Sequence, residues 1–312
     1  MADEAELSRY AAMYGIRRVE ETLLELVRGG EITGSVHLCI GQEAIPVGAC
    51  EALDPSDPVI ATYRGHGSAL ARGVPTARLL GEVMGRDSSL NGGRGGSAYL
   101  SATQHGFHGE NSIVGAGVPI ALGLGLAARF KGTDRVPLVA IGDGAFNQGS
   151  VHEALNMASV LGAPLVVVVE NNGYAEMTPS DDLTAVGAAA RAAGYRIDAQ
   201  VVDGNDPAAV AAAVGAARRA ASLDRRPLLI EAMTRRLGGH YSGDAQHYRP
   251  AGELQAWREG DPLSRLERVI GDDAASGARD RVEAELAEAL AAARAMPRPD
   301  PATVRGELYA AL

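Results

Sequence analysis

The sequence predicts an α/β protein built on a three-layer, doubly wound parallel sheet. Short apolar runs that suit buried strands alternate with helical segments along most of the chain. The composition agrees, since 46% of the 312 residues are hydrophobic, only 4% are aromatic and 39 are glycine. Neither an internal repeat nor a low-complexity linker divides the chain. Residues 1–312 are therefore expected to form one domain, with an N-terminal helix and a C-terminal helical extension.

The predicted elements follow one another in regular order. Apolar residues at spacings of three and four predict an amphipathic first helix over residues 4–28, ended by Gly29 and Gly30. The other predicted helices cover residues 42–53, 74–86, 148–161, 185–193, 207–221, 251–270 and 277–296, and a Gly/Ala-rich helix lies within 105–130. The predicted strands cover residues 59–62, 136–141, 165–169, 200–203 and 227–233.

Charge and cysteine content exclude several function classes. The formal net charge of −10 argues against binding to a phosphate backbone, so nucleic acid is not an expected partner. The chain has two cysteines, Cys39 and Cys50, and neither a basic-plus-apolar leader nor an apolar run of roughly 18 residues. These features predict a cytoplasmic protein without disulfides and without a membrane partner.

Two acceptor-rich turns follow two neighbouring predicted strands. Asp143 lies between Gly142 and Gly144 after the strand 136–141, and Asn172 follows the strand 165–169. Because adjacent parallel strands end at one edge of a sheet, Asp143 and Asn172 are expected to lie close together. A carboxylate oxygen and an amide oxygen are suitable ligands for Mg²⁺, which takes about six oxygen ligands. Phosphate, water and a backbone carbonyl would supply the other ligands. The glycines let an anion approach the backbone closely.

The GDG and NN motifs, with 26 residues between them, resemble the thiamine diphosphate motif. The chain from about Arg9 to Pro262 resembles the α subunit of the E1 component of 2-oxo acid dehydrogenase complexes. ENNGYAEMT and GHYSGDAQHYR resemble its acetoin-dehydrogenase branch in particular. The resemblance implies a thiamine diphosphate-binding fold of the diphosphate (PP) type, with thiamine diphosphate and Mg²⁺ as cofactors. Predicted metal ligands are Asp143, Asn172 and the Tyr174 carbonyl, and the backbone of Gly142, Gly144 and Ala145 is predicted to contact the cofactor.

A YRGHG segment follows the first predicted strand. Tyr63 offers a hydroxyl and Arg64 a bidentate fork to a phosphate, although a surface salt bridge is the commoner role for such an arginine. The resemblance aligns both residues with groups that hold the diphosphate. It also aligns His37 with a cofactor-contacting histidine that precedes GQEA. Two roles stay open for His66, which either faces the reaction centre or braces its loop.

The segment that precedes the Gly/Ala-rich helix supplies two further candidates. By resemblance, Ser112 and Val114 contact the thiazolium and pyrimidine side of the cofactor, and core packing is the alternative. A dinucleotide-binding interpretation of Gly115 and Gly117 is rejected, because no strand is expected before them and the third glycine is lacking. The small residues of the helix, among them Gly123, predict close contact with a partner subunit or with the central sheet.

Two polar loops complete the predicted site. Residues 91–97, rich in glycine, predict a mobile linker or lid; the family carries GGSMH there, whereas this chain has Tyr99 in place of the histidine. Residues 235–249 leave the last predicted strand and form either a catalytic loop or a surface loop. The resemblance matches His240 to the catalytic histidine of a mobile loop, and Gly238 replaces the first histidine of the family pattern.

The resemblance implies an oxidoreductase in which His240, His66 and His37 act in catalysis. Its substrate would be acetoin or a 2-oxo acid such as pyruvate, and the acyl group would pass to a lipoyl-domain E2 or another acyl acceptor. The chain offers no candidate for the glutamate that activates the aminopyrimidine. A β subunit in an α₂β₂ heterotetramer is therefore expected, and the chain alone is expected to be inactive. Two alternatives remain: a subunit of a split transketolase-like or biosynthetic carboligase, and a non-catalytic cofactor-binding scaffold.

Overall fold

Six parallel strands form the central sheet. The computed structural model describes residues 3–88 and 90–307. Within them, eight strands occur: β1 (Val59–Thr62), β2 (Phe107–Asn111), β3 (Leu138–Gly142), β4 (Leu165–Asn171), β5 (Tyr174–Ala175), β6 (Thr178–Pro179), β7 (Asp198–Asp203) and β8 (Pro227–Met233). The sheet has the order β2-β1-β3-β4-β8-β7, and each neighbouring pair is parallel. The strands β5 and β6 form a separate antiparallel pair.

Helices cover both faces of this sheet. They are α1 (Glu4–Arg28), α2 (Ala44–Glu51), α3 (His66–Ala71), α4 (Thr76–Val83), α5 (Gly117–Lys131), α6 (Gly149–Leu161), α7 (Ala188–Ala192), α8 (Pro207–Asp224), α9 (Glu253–Glu259), α10 (Pro262–Ile270) and α11 (Asp272–Ala295). Helices α1, α2, α4, α8 and α11 contribute to the apolar core on one face, and α5, α6 and α7 to the core on the other.

The strand residues divide between the two cores by alternation. In β4, Val166 and Val168 belong to the first core, whereas Leu165, Val167 and Val169 belong to the second. Such a strand is buried on both faces, which is why its sequence is a continuous apolar run. The predicted three-layer α/β architecture is confirmed. The predicted single domain over residues 1–312 extends beyond the described residues at both ends.

Three elements differ from the prediction. No strand was expected at the position of β2, because FHGEN has no apolar run. This strand lies at the edge of the sheet, and only Phe107 and Glu110 in it are buried. Helix α3 was not predicted. The helix expected over residues 251–270 is two helices, since the Asp261 side chain caps a new helix that starts at Pro262.

Two glycines of α5, Gly125 and Gly123, have different surroundings. A Cβ at Gly125 would lie 2.4 Å from the carbonyl oxygen of Pro164, so this glycine lets α5 pack closely on the loop that enters β4. Gly123 is exposed, and a Cβ there would meet no neighbour. Gly115 follows strand β2. The prediction that no strand precedes Gly115, one of the two reasons for rejecting a dinucleotide site, is therefore wrong. The third glycine is still lacking.

The C-terminal extension packs on the N-terminal half of the chain. Helix α11 lies against α1 and α4, and α10 lies against α1. Across the described residues, none of these helices has the length and apolarity that crossing a bilayer requires. The cytoplasmic location stays a prediction.

Candidate active site

A cavity of about 680 Å³ opens at the carboxyl ends of β1, β3 and β4. The order of these strands explains its position, since ligand sites of open α/β sheets lie beyond the carboxyl ends of the strands. Every predicted site residue except His66 lines it. These residues are His37, Tyr63, Arg64, Ser112, Val114, Gly142, Asp143, Gly144, Ala145, Asn172, Tyr174 and His240.

The two predicted metal ligands that are side chains follow neighbouring strands. Gly142 of β3 pairs with Glu170 of β4, so Asp143 and Asn172 both follow directly at the same sheet edge. Both side chains are buried. An Asp143 carboxylate oxygen accepts a hydrogen bond from the Ser180 hydroxyl, and burial raises the pKa of this carboxyl group. The expectation that Asp143 and Asn172 lie at one edge of the sheet agrees with this geometry. Metal binding by these residues stays a prediction.

A second acid, Glu170, lines the same cavity and was not among the predicted site residues. Burial raises the pKa of Glu170 to about 7, with Asp143 adding to the shift and Arg64 opposing it. The Glu170 carboxylate accepts a hydrogen bond from Gln42 Nε2 at 3.3 Å. The sequence did contain a signal, because Glu170 directly precedes Asn171 and Asn172 at a predicted strand end.

The donor set fits a hard cation. Asp143 forms no ion pair within the part of the chain that the structure describes, and burial disfavours its ionised form. Among residues 3–88 and 90–307, no group of three or more His, Cys, Asp or Glu side chains is arranged to hold a metal. A carboxylate, an amide oxygen and a carbonyl can still hold Mg²⁺ when a diphosphate and water supply the remaining oxygens. These residues therefore fit Mg²⁺ bound together with a diphosphate.

Arg64 connects the two loops that carry the cavity histidines. Its Nη1 donates to the carbonyl oxygen of Leu38, next to His37, and its Nη2 donates to the carbonyl oxygen of His240 at 2.9 Å. Its guanidinium lies 5.8 Å from the centre of the Tyr63 ring. The surface salt bridge that was the alternative does not form, because Arg64 is buried and makes no ion pair within the described residues.

Three aromatic side chains cluster on the cavity wall. The ring centres of His37 and Tyr63 are 4.6 Å apart, those of His37 and His240 5.1 Å, and those of Tyr63 and His240 5.7 Å. Burial and the charge of Arg64 lower the pKa of His37 to about 4 and that of His240 to about 3. Both imidazoles are therefore neutral near pH 7. His37 Nδ1 is buried, with no hydrogen-bond partner in the described part of the chain.

The loop 235–249 is tied together around an acid and an arginine. Asp244 Oδ2 accepts from the His240 backbone N–H at 2.6 Å and from the Tyr248 hydroxyl at 2.8 Å. Arg236 is fully buried and donates to the Tyr248 hydroxyl and to the Glu176 carbonyl, each at 2.9 Å. Its Nη1 lies 3.5 Å from His240 Nδ1. Because arginine only donates, Nδ1 is the acceptor, and the His240 proton lies on Nε2.

His66 lies behind the cavity wall and does not line it. This side chain is fully buried, with Nδ1 3.0 Å from Glu20 Oε2 and Nε2 3.0 Å from Ser97 Oγ. Burial alone would lower the pKa of His66, but Glu20 outweighs burial and raises it to about 9. The imidazolium donates to both partners. The geometry therefore favours the bracing role over the predicted catalytic role, because no cavity contact is available to His66.

The glycine-rich loop 91–97 is wrapped around a buried carboxylate. Glu82 accepts hydrogen bonds from the backbone N–H groups of Asn91 at 3.0 Å, Gly93 at 3.0 Å and Gly95 at 2.8 Å. Glycine content predicted a mobile linker or lid. The acid that satisfies the backbone of this loop comes from α4, and composition alone does not reveal it.

Ser112 and Val114 approach the cavity from the segment between β2 and α5. Val114 is 40% exposed, so the alternative of core packing does not hold for it. Tyr99, which replaces the family histidine, is exposed and does not line the cavity. The cavity wall is thus apolar on the side of Val114 and polar on the side of Asp143.

The fold and the cavity define an α/β protein whose ligand site suits a metal-bound diphosphate. The family model described as the dehydrogenase E1 component matches residues 11–302. The chain belongs to this family. The resemblance to E1 α subunits predicted from the GDG, NN and GHYSGDAQHYR motifs is thereby confirmed, and membership implies thiamine diphosphate as cofactor.

The curated relatives include α subunits named for acetoin and for pyruvate. The α subunit of acetoin:2,6-dichlorophenolindophenol oxidoreductase from Cupriavidus necator is 39% identical over 98% of this chain and 94% of its own length. The protein of the same name from Bacillus subtilis is 37% identical over 93% of this chain and 88% of its own length. The pyruvate dehydrogenase E1 component subunit α of Rhizobium meliloti is 37% identical over 98% and 89%, respectively.

Proposed function

We propose that the chain is the α subunit of a thiamine-diphosphate-dependent E1 dehydrogenase, which cleaves acetoin or a 2-oxo acid such as pyruvate and passes the acyl group to a lipoyl acceptor. One observation carries the proposal: Asp143 and Asn172 leave adjacent strands into a cavity that His240 also lines. The names of the relatives, which act on acetoin or pyruvate, support this substrate range.

In the proposed site, the Asp143 carboxylate, the Asn172 amide oxygen and the Tyr174 carbonyl oxygen would hold Mg²⁺. Tyr63, Arg64 and the backbone that runs from Gly142 to Ala145 would hold the diphosphate. When bound, thiamine diphosphate supplies the carbanion chemistry that breaks a C–C bond beside a carbonyl. The support for this arrangement is the polar side of the cavity around Asp143, together with two acids, Asp143 and Glu170, whose charged forms burial disfavours and a divalent cation would compensate.

The two cavity histidines hold protons at defined atoms. His240 is neutral near pH 7 and carries its proton on Nε2, so it is suited to donate a hydrogen bond to a substrate oxygen. His37 is also neutral, and its unpartnered Nδ1 is suited to a second polar group of the ligand. Arg64 holds the two loops at a fixed separation, which keeps the histidine rings 5.1 Å apart.

In the proposed site, no acid of the described residues is assigned to the aminopyrimidine, so a second polypeptide is expected to supply it. We propose an E1 β subunit in an α₂β₂ heterotetramer, and a lipoyl-domain E2 as the acyl acceptor. Two exposed apolar side chains at the cavity support a covering partner: Leu183, which lines it, is 54% exposed, and Ile113, between the lining residues Ser112 and Val114, is 66% exposed.

Reconstitution tests the proposal. The chain is co-expressed with its β subunit, supplied with thiamine diphosphate and Mg²⁺, and assayed by dye reduction with acetoin, pyruvate and branched 2-oxo acids. Cofactor-dependent reduction with at least one of these substrates is expected from the complex and not from the isolated chain. Dehydrogenase activity of the isolated chain would contradict the need for a partner.

The same complex separates the two alternatives. Transfer of a two-carbon unit to an aldose, without dye reduction, would indicate a carboligase. Unchanged turnover in the His240→Ala variant, with retained cofactor affinity, would indicate that the chain is a binding scaffold.

A further inference from the structure

Three side chains form a hydrogen-bonded chain from the cavity wall to the predicted metal ligand. Gln42 Nε2 donates to Glu170 Oε2 at 3.3 Å, and Asn172 Nδ2 donates to Gln42 Oε1 at 3.2 Å. Gln42 is only 1% exposed. It comes from the turn before α2, 128 residues away in sequence from Glu170, so the contact exists only in the folded protein.

The donors and acceptors of these three side chains fix which way each hydrogen bond runs. The Glu170 carboxylate accepts and turns the NH₂ end of the Gln42 amide towards itself. The oxygen end of Gln42 must then face Asn172, and it accepts from the NH₂ end of that amide. Asn172 Oδ1 is left on the opposite side, where it accepts from the backbone N–H of Tyr174 at 3.1 Å. An amide oxygen is a ligand for Mg²⁺, whereas an amide NH₂ group is not.

The turn that carries Gln42 is held in place on three sides. The Gln42 backbone N–H donates to the Cys39 carbonyl at 2.8 Å. Both Glu43 carboxylate oxygens accept from the Gly41 N–H, at 3.1 and 3.0 Å. Gly41 has a φ of +94°, and a Cβ there would lie 2.6 Å from the carbonyl oxygen of Arg235. Gln42 therefore cannot shift away from Asn172 without moving the segment that follows β8.

We propose that Gln42 and Glu170 are positioning residues, which fix the rotation of the Asn172 amide so that its oxygen faces the cation. This inference rests on the proposed function, because it assumes that Asn172 binds Mg²⁺ together with thiamine diphosphate. Neither Gln42 nor Glu170 is required to touch the metal.

Two single variants, and one double variant that exchanges the residues at positions 42 and 170, test the direction of these hydrogen bonds. Gln42→Met removes both hydrogen bonds at nearly constant length, and it is expected to weaken metal binding about 10–100-fold, as loss of an outer partner of a ligand usually does. Glu170→Gln places two amides side by side, either of which can donate, so a smaller loss is expected. The combined Gln42→Glu and Glu170→Gln exchange keeps the net charge. A carboxylate at position 42 still accepts from Asn172, so the double variant is expected to bind metal within about 3-fold of the wild type.

The experiment uses the complex with the β subunit and measures the Kd for Mn²⁺ at saturating thiamine diphosphate, by the electron paramagnetic resonance signal of free Mn²⁺. Gln104→Met is the matched control, since it makes the same change at an exposed position outside the cavity. Thermal unfolding of each apo complex checks its assembly. Should Gln42→Met fail to assemble, Glu170→Gln and the exchange still give the comparison.

Three results have different meanings. Weak binding in Gln42→Met with recovery in the exchange supports the inference. A Kd within 2-fold of the wild type in Gln42→Met, or failure of the exchange to recover what Glu170→Gln loses, overturns it. Absence of cofactor-dependent Mn²⁺ binding in the wild-type complex overturns the proposed function instead.

Discussion

The cavity histidines and His66 show how one residue type serves two purposes in neighbouring regions. His37 and His240 lie beside Arg64 on the cavity wall, and their pKa values are lowered to about 4 and about 3. His66 is fully buried behind that wall, and Glu20 raises its pKa to about 9. The first pair consists of neutral groups with hydrogen-bonding capacity directed at the cavity. His66 is a cation whose two N–H groups are already used by Glu20 and Ser97.

This difference separates groups that are arranged for a ligand from groups that hold the fold. Asp143 belongs with the cavity histidines, because burial disfavours its charge and no described residue forms an ion pair with it. Glu20, like His66, is one of the groups that hold the fold. Burial alone would raise the pKa of Glu20, but the interaction with His66 outweighs burial and lowers it. Variants in the cavity should therefore change function more than stability, and variants around His66 should do the reverse.

The largest effects are expected from variants in the cavity, and the first of these is Asp143→Asn. We expect turnover of the reconstituted complex to fall by more than about 100-fold, which exceeds the usual effect of losing an outer partner of a metal ligand. The unfolding midpoint of the apo complex should stay the same or rise, because the variant removes a buried charge. Dye-reduction kinetics and calorimetry measure the two effects. A lowered apo midpoint would place Asp143 among the structural groups.

His240→Ala should lower turnover by about 10²–10⁴-fold, the usual range for removal of a group that transfers or holds a proton. The backbone of residue 240 keeps its bonds to Arg64 and Asp244, so the unfolding midpoint should change little. Retention of thiamine diphosphate, followed by its absorbance after gel filtration, is the control. Full activity of this variant would remove His240 from the catalytic groups.

His66→Gln should destabilise the complex by about 3–5 kcal/mol, because it leaves the Glu20 carboxylate buried without its cation. The KM of the fraction that remains folded should not change, since His66 does not line the cavity. Denaturant unfolding and steady-state kinetics measure the two quantities. His108→Gln is the matched control at an exposed position. A large change in KM at wild-type stability would restore the catalytic role that the sequence predicted.

The two kinds of histidine should also give opposite pH dependence of stability. His66 binds its proton more tightly when folded, so its contribution is complete below its ordinary pKa of 6.5 and is lost as the pH rises towards about 9. His37 and His240 resist protonation when folded, so stability falls as the pH drops from 6.5 towards about 4 and about 3. Unfolding midpoints of the apo complex between pH 4 and pH 9.5 measure both limbs. His66→Gln should flatten the alkaline limb, and His240→Ala should reduce the acid limb without changing the alkaline one.

The smallest effect is expected from Glu82→Gln. The variant keeps an acceptor oxygen but loses the charge that the N–H groups of Asn91, Gly93 and Gly95 contact, which should cost about 1–3 kcal/mol. Hydrogen exchange of residues 91–95 should become faster, while exchange in the sheet should not change. Unchanged protection of these residues would show that the loop does not depend on the carboxylate.

The parts of the fold that the sequence predicted are those with a local pattern. Strand β1 and strand β8 match the predicted ranges, because each is an apolar run bounded by turn residues. Strand β2 is polar and lies at the sheet edge, so periodicity could not show it. In the cavity, the turn around Asp143 and the amide of Asn172 follow from strand ends and motif spacing.

The contacts that the sequence could not predict join distant segments through side chains. Glu20 and His66 are 46 residues apart, and Gln42 and Asn172 are 130 apart. The first pair depends on how α3 packs against α1, and the second on how the turn before α2 lies against the end of β4. The sequence alone does not show that His66 contacts an acid on α1, so it leaves the role of His66 open. The position of Glu170 at a strand end was a local signal for a site residue. Nothing in the nearby sequence indicates that its carboxylate contacts Gln42.

Anomalous diffraction from crystals of the α–β complex grown with thiamine diphosphate and Mn²⁺ tests the central assignment most directly. We expect one peak within coordination distance, about 2.0–2.2 Å, of an Asp143 carboxylate oxygen, the Asn172 amide oxygen and the Tyr174 carbonyl oxygen. A peak elsewhere, or a cofactor bound with the Asp143 and Asn172 side chains directed away from the metal, would contradict the assignment.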